Sequence, residues 1–190
     1  MILMSLLKDN NLKRILNSFI LPLIFFSMNL IAEEMIIGEE SYGDYQIIFE
    51  AAPKDLVYSH PSVKNLKESE TDIHIEALIT WNNKINIEGQ LPGSHIPYLD
   101  VTAHIVNLRT KKKDIISLLP HINLTDGFHY ARNIKLPGLN NDKYSVKFLI
   151  KPDEKLLTYH WKQKYGAPML DEVSYMYSNL DFLKMSKKLR

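Results

Sequence analysis

Beyond residue 32 the apolar and polar positions alternate with a period of two rather than 3.6, the signature of strands with one buried face. Segments 45–50, 72–78 and 98–106 alternate wholly or in part, and further strands are predicted at 115–119, 129–136 and 144–150. In the last of these Tyr144, Val146, Phe148 and Ile150 share one side. Asn82-Asn83, Pro92-Gly93-Ser94, Asp126-Gly127, Pro137-Gly138 and Asn140-Asn141-Asp142 punctuate the chain as turns. Short strands closely spaced by such turns predict an all-β, immunoglobulin-like antiparallel β-sandwich rather than βαβ units. The segment 57–70, with its charges and Pro61, reads as a long excursion between strands. The stretch 180–190, ending in Lys187-Lys188-Leu189-Arg190, reads as a frayed basic tail.

The first thirty-odd residues are of another kind. Lys8, Lys13 and Arg14 precede an apolar run from Ile15 to Phe26, and Ala32 stands just before Glu33-Glu34. A basic start, an apolar stretch and a small residue at the cut define a signal peptide cleaved near Ala32, with an uncleaved anchor as the alternative given Leu30. Three segments follow: signal peptide 1–32, an immunoglobulin-like domain 33–175, and a C-terminal tail 176–190. The working part is expected outside the cytoplasm.

Composition narrows the chemistry. Lys and Arg total 23 against 22 Asp and Glu, and without residues 1–32 the balance is 20 against 21, so no basic stripe selects nucleic acid. The absence of cysteine excludes disulfides, thiol nucleophiles and thiolate metal sites, leaving His, Met and carboxylates as donors. No HExxH, nucleophile elbow or Gly-rich phosphate loop marks an enzyme, and binding is expected instead.

Seven histidines carry the remaining signal. His74 and Glu76 are two apart on a predicted strand, so both leave the same face roughly 7 Å apart at the backbone. His121 and His129 sit at either end of a predicted loop, 120–130, that contains the Asp126-Gly127 turn and can fold both rings toward one point. His160 follows the last clear strand. Imidazoles converging from separate strands suit Cu(II) or Zn(II), and a carboxylate raises affinity for harder ions such as iron or manganese. Spacing alone leaves open whether they converge. His95 in a turn, His104 on the polar side of its strand and His60 in the excursion are read as ordinary exposed or hydrogen-bonded side chains.

Asp72-Ile73-His74-Ile75-Glu76-Ala77, then Ile96-Pro97-Tyr98-Leu99, then Asp126-Gly127-Phe128-His129-Tyr130, then His160 followed by Gly166-Ala167-Pro168, together resemble the periplasmic iron-transport protein family. The resemblance implies an exported immunoglobulin-like sandwich, commonly a homodimer, that binds copper or another divalent ion beside an inner-membrane iron permease. It makes His74, His129 and His160 metal ligands, with Glu76 at the site. The family typically places a methionine where Ile122 stands here; its neighbour is His121, in a loop one residue longer, so His121 is the candidate fourth ligand. Phe128 stands where the family tends to have Pro, and Ala131 where it tends to have Gly. The implied cofactor is a copper ion, with iron, zinc or manganese as further candidates. Two other readings are a copper-handling protein linked only indirectly to iron, and a structural sandwich whose histidines never meet.

Overall fold

The computed structural model describes residues 34–59, 62–63, 65–124, 126–152, 160, 163–164 and 171–187. The expected signal peptide and Gly166-Ala167-Pro168 lie outside the described residues. Among the described residues there are eight strands: β1 (Met35–Tyr42), β2 (Tyr45–Ala52), β3 (Ile73–Trp81), β4 (Leu99–Asn107), β5 (Lys113–Asn123), β6 (Gly127–Ile134), β7 (Tyr144–Pro152) and β8 (Val173–Leu180). Every pairing is antiparallel and the order is β1-β2-β3-β6-β5-β4-β7-β8.

β5 belongs to two layers. Its first half pairs with β4 as far as Val101↔Leu118, and its second half pairs with β6 from Leu119↔Ala131 onward. One layer therefore holds β2, β3, β6 and the end of β5, and the other holds β4, β7 and β8, which is the strand arrangement of an immunoglobulin-like sandwich. Tyr144, at the start of β7, donates its hydroxyl to the carbonyl of Leu139 at 2.8 Å, the tyrosine corner of that fold.

Period-two patterning fills the core. Ile47, Phe49 and Ala51 of β2, Ile73, Ile75, Ala77, Ile79 and Trp81 of β3, and Val146, Phe148 and Ile150 of β7 all point inward and are buried. Phe49 and Phe148 stack across the layers with centroids 4.0 Å apart. At the bottom of β4, buried Asn107 donates to Asp142 at 2.7 Å, and Arg109 grips the same carboxylate with two nitrogens.

Two expectations are corrected. His121 and His129 do not sit in a loop: β5 runs through Pro120 to Asn123, and the connection to β6 is only 124–126. Gly127 takes a φ of 68°, the left-handed conformation this short hairpin requires. Nor is the expected frayed tail, 180–190, frayed over its described residues 180–187. Residues 173–180 form β8 along the β7 edge, and the short helix α1 (Leu183–Lys187) buries Met185 next to Phe182 in the core. Two apolar anchors thus outweigh the basic composition of the terminus.

Candidate metal centre

β3 alternates as expected, yet its outer-face residues His74 and Glu76 are as buried as its core face, at 1% and 0% exposure. Two neighbours explain this. Register places Glu76 opposite Ala131 and His74 opposite Asn133 on β6, while His129 on β6 faces His121 on β5. Directly opposed residues in an antiparallel ladder project to the same side, so His74, Glu76, His121 and His129 share one outer face. The excursion between β2 and β3 then lies over that face, because Asn133 donates to the carbonyls of Asp55 at 2.6 Å and Leu66 at 3.2 Å.

The imidazole nitrogens of His74, His121 and His129 lie within 4.8 Å of one another. Glu76 sits under two of them: its Oε1 is 3.7 Å from His74 Nε2 and its Oε2 is 3.8 Å from His129 Nε2. The ring orientations are fixed from behind. His74 Nδ1 donates to Asn133 Oδ1 at 2.9 Å, an assignment set by Asn133 Nδ2, which already serves two carbonyls. His129 Nδ1 donates to the carbonyl of Gly127 at 3.1 Å. With protons on Nδ1, both Nε2 lone pairs are directed toward the Glu76 carboxylate, the arrangement by which a metal site orients its histidines.

Burial pushes the His74 pKa down to about 4, opposed by its bond to Asn133 and reinforced by His121 and His129. Burial, followed by His121, lowers His129 as well. Both rings are therefore neutral near neutral pH and ready to act as donors. The Nε2 atoms of His74, His121 and His129 are buried and make no hydrogen bond. Polar atoms enclosed in that way are costly unless something meets them, and a cation is what converging imidazole nitrogens and a carboxylate can hold in common. The residues present fit a metal ion.

Four of the five candidate residues come together. His160 stands apart from them: it is exposed and lies outside the group formed by the other three histidines. The hairpin register puts His121 on the same face as His129 and leaves the side chain of Ile122 exposed. His95, read as an ordinary turn residue, is half-buried, with its ring 5.1 Å from that of Tyr130, its Nδ1 without a hydrogen-bond partner, and a pKa lowered by burial and then by His129. Sequence reading missed Asn133 and Asp55. Asn133 was findable, since it lies four residues after His129 on the same face of one strand; Asp55 carried no local signal.

A family model described as an Fe2+ transport protein matches residues 31–183. No curated protein sequence matches the chain. Among solved structures, a copper-bound variant of P19 from Campylobacter jejuni is 25% identical, with a TM-score of 0.64 over 77% of this chain and 96% of that one. Copper-reconstituted P19 from the same organism is 25% identical, with a TM-score of 0.62 over 77% and 94%. A copper-bound variant of FetP from uropathogenic Escherichia coli strain F11 is 24% identical, covers 77% and 95%, and has a TM-score of 0.63, a likeness of fold.

Proposed function

Since this chain belongs to the Fe2+ transport protein family, we propose that it is a periplasmic metal-binding protein that assists iron uptake by capturing metal and passing it to an inner-membrane iron permease. The observation that carries this reading is the buried convergence of ring nitrogens of His74, His121 and His129, with the Glu76 carboxylate beside the Nε2 atoms of His74 and His129. His74, His121, His129 and Glu76 are the proposed ligands, acting by binding and not by catalysis. Imidazoles with one carboxylate suit Cu(II), and the P19 variant is copper-bound; they also accept Zn(II), Mn(II) and iron. His160, outside the group within one subunit, is proposed to be supplied across a homodimer. Export through cleavage near Ala32 belongs to the same proposal.

The test is metal content and titration of residues 33–190, purified without a polyhistidine tag. We expect about one tight ion per chain, a raised melting temperature on binding, and loss of both in a His74→Ala, His129→Ala double variant. A chain that binds no ion and shows no shift in melting temperature overturns the reading. The copper carried by the solved relatives favours copper handling as a second reading; a deletion strain more sensitive to copper excess than to iron starvation supports that one instead.

A further inference from the structure

Resting on that reading of the site, we propose that Asp55, carried by the excursion between β2 and β3, is a further metal ligand that biases the site toward harder divalent ions such as Mn(II) and Fe(II).

Three acidic-to-imidazole distances define the cluster. Glu76 lies 3.7 Å from His74 and 3.8 Å from His129, and Asp55 Oδ2 lies 3.7 Å from His121 Nε2. All three exceed hydrogen-bond length, and His121 Nε2 is buried without a hydrogen bond. With metal–ligand bonds of roughly 2.0–2.2 Å, ligand atoms that share an ion stand about 3–4 Å apart. The Asp55–His121 pair is thus spaced like the Glu76 pairs, as ligands sharing an ion and not as a hydrogen-bonded couple.

The backbone holds Asp55 there. Its N–H donates to Asn133 Oδ1 at 3.1 Å, its carbonyl accepts from Asn133 Nδ2 at 2.6 Å, and its Oδ1 accepts the Leu56 N–H at 2.8 Å. Asn133 Oδ1 is also the acceptor for His74 Nδ1. One carboxamide therefore sets the position of a ligand on β3 and of the loop that brings Asp55, whose Oδ2 lies 3.7 Å from His121 Nε2. Glu76 at the floor and Asp55 at the mouth give the histidines two anionic oxygens. Two hard donors among imidazoles shift preference toward Mn(II) and Fe(II) relative to an all-imidazole site.

The test compares the tag-free 33–190 protein with Asp55→Asn, which is nearly isosteric and keeps an oxygen for Leu56 N–H. Affinities for Mn(II) and Cu(II) are measured by competition, Co(II) absorption reports coordination, and hydrogen exchange at the Leu56 amide reports the loop. Asp55→Asn should weaken Mn(II) by about ten- to a hundredfold and Cu(II) by much less. The Co(II) bands should intensify as a ligand is lost, and slowing of Leu56 exchange by metal should disappear. Equal losses for both ions, or unchanged Co(II) bands, overturn the role of Asp55. Wild-type binding with an indistinguishable variant removes only this inference, whereas wild-type protein that binds no ion removes the carrier reading with it.

Discussion

Asn133 and Gly127 touch no candidate metal position, yet each fixes which nitrogen of a histidine faces inward. This has a consequence for pH. A histidine whose native pKa lies below its unfolded value binds fewer protons when folded, so its contribution to stability is complete above about pH 6.5 and is lost as pH falls toward the native value. For His74, with a native value of about 4, the contribution is on the order of 3 kcal/mol. Glu50 opposes it. Burial and Glu34 push its carboxyl up to about 7, so it stabilises the fold at low pH and loses that effect as pH rises through about 7. The lowered pKa values of His129 and His95 add to the His74 side. Metal-free protein should therefore melt lower at pH 5 than at pH 7, and Glu50→Gln should steepen the difference in calorimetry. A melting temperature that is flat or higher at pH 5 contradicts this accounting. At this scale the sequence showed the His74 and Glu76 pair because alternation is local. It could not show Asp55 beside His121, because that contact depends on where a long loop is clasped.

The elements show the same division. β3, β4 and β7 were legible because one apolar face repeats along each strand. β5 was cut short by Pro120, which normally demotes a strand, although the ladder to β6 continues past it as Pro120↔Tyr130. In β8, Val173, Tyr175 and Tyr177 alternate with polar or exposed neighbours, but the pattern was overshadowed by the basic residues that follow. β8 also approaches β1 at the far edge of the sheet. Tyr177 lies over Gly38, where an added Cβ would overlap its ring, and donates its hydroxyl to Glu40 at 2.8 Å. Gly38 is thus the residue that lets the two edge strands meet. Gly38→Ala should cost about 1–3 kcal/mol by displacing the ring, whereas Tyr177→Phe should cost about 1 kcal/mol for the hydrogen bond alone. Denaturant midpoints separate the two, and a Gly38→Ala protein as stable as wild type would show that the edges meet elsewhere.

Over the whole molecule, the candidate metal centre lies under a surface that is apolar without being core. An open groove of about 960 Å³ runs between the excursion and the β5–β6 hairpin, lined in part by Leu56, Tyr58, Val63, Ile122 and Leu124, all of them exposed. Tyr58 is 93% exposed, and contiguous apolar surface of this kind marks an association site. The sandwich was readable from strand spacing and turns; the groove was not, because its residues come from two distant segments. If the proposed homodimer forms through this groove, burial of these apolar side chains would hold the subunits together. Tyr58→Glu with Leu124→Glu should shift the sedimentation coefficient from dimer to monomer. The origin of His160 is settled by mixing. A subunit carrying His74→Ala and His129→Ala has no site of its own but retains His160, while a His160→Ala subunit has the opposite defect. If His160 crosses the interface and completes the site, each mixed dimer regains one complete site, so a statistical mixture should hold metal with wild-type affinity at about one site in four, whereas the His160→Ala parent binds more weakly at every site and the His74→Ala, His129→Ala parent does not bind. If the mixture holds no more metal with wild-type affinity than its parents, the centre is built within one chain.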